Sequence, residues 1–233
     1  MTTWWPYARL AAAALALAAI IAQLARSIEN ALRATTEWGQ HLPTVAANFL
    51  SFFTILSNLL AAIVLIVAAV WGLRHRHDSR PEPNWLAVSL ACASTYMIVT
   101  GIVYNTLLRG VALPQGVTVP WSNEVLHVVI PLFLLADLLF APRRRALAWS
   151  AVAITTVFPI AWVVYTMIRA NLIIAPATGE TWWYPYPFLN PHLVPGGYLG
   201  VAGYIVGIAV AIVGVACLVV WVGRKRGARV PVA

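Results

Sequence analysis

The amino-acid sequence predicts an all-α polytopic membrane protein: six transmembrane helices in a single domain over residues 1–233, with both termini on the cytoplasmic side. Three observations carry this. The 233 residues are 61% hydrophobic and 9% charged, with a mean hydropathy of +0.82, outside the range of soluble domains. Apolar residues gather into runs of about twenty, the length that crosses a hydrocarbon core. The formal net charge of +8 sits in short clusters at the ends of those runs: RHRHDSR at 74–80, RRR at 143–145 and RKRGAR at 224–229. A nucleic-acid partner would need a basic stripe or face, so none is expected, and the clusters read as juxtamembrane anchors.

The first run, about 8–28, is rich in alanine and follows a single early arginine. It has no sharp signal-peptide core and continues into QLARSIEN without a cleavage site, so an uncleaved helix is expected. The second run, about 46–72, ends at RHRHDSR; the third covers about 85–109; the fourth, about 122–140, ends before PRRR; the fifth and sixth cover about 147–169 and 197–222. The loops after the second and fourth runs and the C-terminal tail hold most of the clustered arginine and lysine, which places them in the cytoplasm. The loops 29–45, 110–121 and 170–196 then face outward. The longest contains TGETWWYPYPFLNPHLVPGG at 178–197, whose prolines break any helix and whose aromatics suit a cap on the interface. Cys92 and Cys217 fall inside apolar runs and read as packing residues.

Polar residues within the runs carry the functional signal. In this topology Thr54 of LSFFTILSN, His127 of NEVLHVVIP, Tyr104 with Asn105, and Tyr165 with Arg169 all lie toward the outer ends of their spans. Thr54 and Asn58, Asn123 and His127, and Tyr165 and Arg169 are each four residues apart and share a helical face. Polar residues in spans often serve as interhelical ties, and Thr can bond its own backbone. A histidine beside Glu124 favours a site, because ionisable groups in spans usually face a cavity. Asp137, ten residues beyond His127 and just before PRRR, is better explained by an ion pair with Arg143 or Arg144 or by a cap at headgroup level.

Several chemistries are disfavoured. A bis-histidine haem needs paired ligands at one depth, while His75 and His77 lie in the arginine-rich loop. A zinc site recruiting His127, His41 and His192 with Glu124 or Glu37 has no pair at metal-ligand spacing. Neither a phosphate-binding glycine loop nor a nucleophile elbow is present. No metal or cofactor is expected, and what remains is a hydroxyl nucleophile with an imidazole base.

The same segments resemble the androgen-induced, FAR-17a-like membrane proteins and their Pr6Pr-type bacterial relatives. FFTILSN in the second span, TGIVYNTLL in the third, NEVLHVVIPLFLLADLLF in the fourth and YPYPFLN before the sixth follow that family's order and spacing over roughly residues 45–205. The resemblance implies a multi-pass protein of the bacterial plasma membrane. Animal members are threonine hydrolases that cleave fatty acid esters of hydroxy fatty acids with one intramembrane threonine and one histidine, which correspond here to Thr54 and His127. The implied partner is a membrane lipid or acyl-ester substrate.

In the implied reaction His127 deprotonates Thr54, whose oxygen attacks the ester carbonyl. Candidates to orient the imidazole are Asn123, Glu124 and Tyr104; candidates to stabilise the oxyanion are Asn58 and then Asn105. Arg109 and Arg169 are placed to hold a carboxylate or phosphate, with Tyr165 on the Arg169 face. Trp183, Tyr184, Tyr186 and Phe188 are expected to cover the cavity or line its lipid entrance. The rival reading is a non-enzymatic lipid-binding or transport protein whose polar cluster recognises a headgroup or small solute.

Overall fold

The computed structural model describes residues 4–111 and 118–227, among which the secondary structure is entirely helical. Helix α1 is Trp5–Leu32, α2 is Leu42–Ser51 and α3 is Phe53–Arg74. Helix α4, Asn84–Val103, runs on into a π-helical turn, Tyr104–Leu108. Helix α5, Pro120–Glu124, leads through a second π turn, Val125–Val129, into α6, Ile130–Phe140. Helix α7 is Ala151–Ala170, a 3-10 turn covers Pro187–Leu189, and α8 is Gly197–Gly227. Six segments are long and apolar enough to cross a membrane: Trp5–Leu32, Phe53–Arg74, Asn84–Leu108, Pro120–Phe140, Ala151–Ala170 and Gly197–Gly227. Half of the 110–121 loop and the end of the C-terminal basic cluster lie outside the described residues.

The predicted second span is not one helix. The chain leaves helical geometry at Phe52 (φ −69°, ψ 128°), so α2 ends at Ser51 and α3 begins at Phe53. Such a break frees backbone groups that lipid cannot satisfy, and partners from elsewhere meet them. Trp162 Nε1 donates to the Ser51 carbonyl at 2.9 Å. The Ser51 hydroxyl donates to the Ala47 carbonyl at 2.7 Å and lies 2.9 Å from the Tyr165 hydroxyl. Trp162 and Tyr165 are over a hundred residues away in the chain, which is why local hydropathy reads straight through the break.

Helix α1 belongs to the bundle core. Ala13, Ala16 and Ala19 on α1 and Ala61, Ala62, Ala68 and Ala69 on α3 are almost completely buried, and small side chains let two membrane helices approach closely. Helices α3 and α4 occupy the middle, with Leu65, Leu86, Leu90 and Met97 fully buried. Helices α7 and α8 lie at the periphery.

One end of the bundle is closed by charge. Asp137, fully buried on α6, accepts from Trp5 Nε1 at 2.6 Å, Arg9 Nε at 2.7 Å and Arg144 at 2.5 Å. The local partner expected from PRRR is therefore Arg144. Arg143 instead donates to the carbonyls of His75 and Asp78 and covers the Trp71 ring. Arg145 reaches the Glu82 carbonyl, and Arg226 the carbonyls of Leu138 and Ala141. All three basic clusters thus meet at one end, opposite Thr54 and His127.

Candidate functional site

Thr54 lies in the first turn of α3, directly after the break at Phe52. This is a consequential place. The first amides of a helix have no intrahelical acceptor, and the helix dipole is positive there. Thr54 is buried, its Oγ1 is 3.2 Å from His127 Nε2, and its backbone N–H donates to the Tyr186 hydroxyl at 3.2 Å.

The hydrogen-bond pattern sets the tautomer of His127. Its Nδ1 is 2.9 Å from the Asn123 carbonyl, and a carbonyl can only accept. Nδ1 therefore carries the proton in the neutral ring, and Nε2 presents its lone pair to the Thr54 hydroxyl. The Thr54 proton is committed to His127, so the Tyr186 O–H, 3.2 Å from Thr54 Oγ1, donates to that oxygen. Proton donation then runs in one direction, from Tyr186 to Thr54 to His127 to Asn123. Tyr186 is buried, and burial raises its phenol above the ordinary tyrosine range, which keeps it in the donating form.

Both π turns serve this arrangement, as such turns often do at functional sites. One carries Tyr104 and the other His127, and the rings stack with centroids 3.9 Å apart at 20°. The Asn123 side-chain amide donates to the Tyr104 hydroxyl. Asn123 thus orients the imidazole through its carbonyl and the stacked tyrosine through its side chain. A β-carbon at Gly101 on α4 would lie 3.3 Å from the His127 carbonyl oxygen and 3.0 Å from Pro131 Cβ. Helix α4 and the turn that carries His127 meet closely at this point.

Other residues singled out in the sequence fall elsewhere. Both hydrogens of the Asn58 amide are spent, on the Thr54 carbonyl at 2.9 Å and the Leu126 carbonyl at 3.2 Å. Asn58 therefore ties α3 to the π turn of His127 and has no N–H to offer an oxyanion. Asn105 donates to the carbonyls of Gly101 at 2.7 Å and His127 at 3.4 Å and accepts from Arg109 Nε, so it too holds the His127 turn and has no N–H to spare. Glu124 holds Arg109 in a two-pronged ion pair at 2.9 and 3.0 Å, both side chains exposed, and does not touch the imidazole. Arg109 is thereby committed to Glu124 and Asn105. Arg169 donates to Asn48 Oδ1 at 2.7 Å and covers the Trp183 ring. Tyr165 is half exposed and reaches Ser51.

The aromatic loop folds back into the bundle. Trp183, Tyr184, Tyr186 and Phe188 are all buried. Phe52 meets both Trp183 and Tyr186 edge-on, and Phe188 stacks on Tyr186 at 5.2 Å. Tyr184 closes on Asn171 at the end of α7. Two cavities adjoin Thr54. One, of about 170 Å³, includes Gln23, Asn48, Asn123, His127 and Trp183 in its wall. The other, of about 140 Å³, lies among α4, α7 and α8. Thr54, Tyr104, Leu108 and Tyr186 border both.

Sequence reasoning placed Tyr186 in a cover over the site and missed its direct contact with Thr54. It also missed Trp162 and the break at Phe52. The motif YPYPFLN was the available signal for Tyr186, but only the return of the loop shows which tyrosine reaches inward. No family model, curated protein or solved structure matches this chain, so the family resemblance rests on the quoted motifs.

Proposed function

We propose that the protein is an intramembrane lipid-ester hydrolase in which Thr54 is the nucleophile and His127 the general base. The observation that supports this most is the bare Nε2 of His127 facing the Thr54 hydroxyl, with Nδ1–H held on a carbonyl. In the first half-reaction the Thr54 proton passes to Nε2 as Oγ1 bonds to the ester carbonyl carbon. The tetrahedral intermediate collapses with cleavage of the bond to the alcohol oxygen, which takes the proton from the imidazolium. Water then attacks the acyl-threonine with the same base, releasing the acid and the threonine hydroxyl.

Negative charge on the tetrahedral oxygen needs donors already in place. The Thr54 amide and the Tyr186 hydroxyl are the donors nearest the reacting oxygen, at the positive end of α3. In the free protein the amide donates to the Tyr186 oxygen and the Tyr186 O–H to Thr54 Oγ1, and a substrate carbonyl oxygen would take over these two donors. The family resemblance adds fatty acid esters of hydroxy fatty acids as first substrates to assay, and a bacterial plasma membrane as the setting.

The test is turnover by purified protein of hydroxy-fatty-acid esters, acylglycerols and phospholipids, with rates taken per folded molecule. Thr54→Ala and His127→Ala should each lower the rate by about three orders of magnitude or more, without additivity, because the two act as one unit. Thr54→Ser should keep part of it. Full activity in a stable Thr54→Ala protein would end the hydrolase reading and leave a headgroup-binding or transport role in its place.

A further inference from the structure

The two cavities that meet at Thr54 differ in chemistry. The one bordered by α1, α2 and the aromatic loop is walled mainly by apolar atoms but is the more polar of the two, with Gln23, Asn48, Asn123 and His127 in its wall; it is the polar cavity below. The one among α4, α7 and α8 is lined by Val99, Val163, Ile205, Ile208 and Ile212, and its polar side-chain groups are the hydroxyls of Thr54, Thr100, Tyr104 and Tyr186 and the Trp162 indole N–H, which is committed to the Ser51 carbonyl. Two more of its lining residues, Ile160 on α7 and Ala209 on α8, are exposed on the bundle surface. It therefore opens sideways between these helices, toward hydrocarbon.

His127 lines the polar cavity and not the apolar one. That asymmetry assigns the two halves of a substrate. The alcohol must leave beside the imidazole that protonates it, and the water that replaces it must be deprotonated by the same nitrogen. Alcohol and water therefore share the His127 side. The acyl group stays bonded to Thr54 Oγ1 between the two steps and must extend the other way.

We infer that the α4–α7–α8 cavity is the acyl-chain site, entered laterally from the bilayer, and that the polar cavity takes a hydrogen-bonding alcohol half and supplies water. The substrate class is thus a long-chain acyl ester of a polar alcohol, attacked from the membrane side. This rests on the hydrolase reading for the direction of the acyl-enzyme, while the occupancy of the apolar cavity can be measured without any turnover.

Two measurements test it. In the first, Ala209→Trp narrows the apolar cavity and Ala34→Trp narrows the polar one. Ala209→Trp should lower kcat/KM for a palmitoyl ester by at least about tenfold more than for the butyryl ester of the same alcohol. Ala34→Trp should leave that ratio unchanged. The opposite pattern, or an equal loss for both acyl lengths in Ala209→Trp, overturns the assignment. In the second, palmitic acid with a terminal diazirine is photo-crosslinked to Thr54→Ala protein in nanodiscs, with excess unlabelled palmitate as competitor. Competable adducts on α4, α7 or α8 near Val99, Val163 or Ile208 support the acyl site. Competable adducts confined to α1 or α2, or none at all, overturn it. A wild-type protein that hydrolyses no ester would refute the hydrolase reading alone, since the crosslink still reports where the chain lies.

Discussion

At the scale of single residues, the site depends on which atoms are already spent. Asn58 looks like an oxyanion donor because it sits one turn beyond Thr54, yet its amide is committed to two carbonyls. Tyr186, 132 positions from Thr54 in the chain, has the hydroxyl that touches it. This separates the two residues experimentally. Tyr186→Phe removes an O–H and little volume, so it should lower kcat by about a hundredfold to a thousandfold, as loss of an oxyanion donor does, with a small change in melting temperature. Asn58→Leu should instead unfold more easily, since it strips the tie between α3 and the His127 turn. A Tyr186→Phe protein as active as wild type would remove the phenol from the chemistry. Thr54 and His127 were legible because polar side chains stand out in apolar runs. Tyr186 was not singled out as their partner, because aromatic residues are ordinary at membrane interfaces and a loop's return path leaves no period in the sequence.

The elements were legible as apolar runs and illegible as interruptions. All six spans follow from length and composition, whereas the break at Phe52 and the π turns at Tyr104–Leu108 and Val125–Val129 do not. The break is stabilised by a distant group, Trp162 on the Ser51 carbonyl, and the Val125–Val129 turn by Asn58 on the Leu126 carbonyl. The break puts a helix start inside a predicted span, which leaves the Thr54 amide without an intrahelical acceptor and able to donate to Tyr186. The glycine at 101 belongs to the same scale, since it lets α4 approach the carbonyl of His127. Gly101→Val should push the two elements apart. Pro131, its other close neighbour, cannot yield as a flexible chain would. The expected result is a fall in kcat of at least about tenfold, since small misplacements of catalytic groups are costly. The variant should still bind palmitate in the crosslinking assay, because Gly101 lines neither cavity. Unchanged kcat in Gly101→Val would show that this close approach does not position the base.

For the whole molecule, the arginine clusters and the pairing of Asp137 with Arg144 were legible in the sequence, but the part played at that end by Trp5, Arg9 and Glu82 was not. Asp137 is met by Trp5, Arg9 and Arg144, whereas Glu82 is buried with one carboxylate oxygen lacking a hydrogen bond and Arg144 at 3.7 Å. Asp137→Asn strands two buried cations and should cost about 3 to 5 kcal/mol. Glu82 behaves differently. Desolvation raises its carboxyl above the ordinary 4.5 despite the nearby arginines. A carboxyl raised on folding stabilises the fold below its unfolded pKa, and that contribution is lost as pH rises through the folded value. Glu82→Gln should therefore melt no lower than wild type at neutral pH and show a weaker fall in stability from pH 4 upward, as read by melting curves at several pH values. A marked loss at pH 7 would mean that the Glu82 charge is needed. The same end decides sidedness. Arg74, Arg76, Arg80, Arg143, Arg145 and the Arg224–Arg226 cluster lie together, and the positive-inside rule assigns such an end to the cytoplasm. The termini would then both be inside, and the polar cavity would open outward beneath the aromatic loop. With Cys92 and Cys217 replaced, single cysteines at Thr118 and Gly179 should react with a membrane-impermeant maleimide added to intact cells, and one at exposed Ser79 only after permeabilisation. Labelling at position 79 from outside would invert the molecule. The lateral cavity would be unaffected by that inversion, but the water for deacylation would then come from the cytoplasm.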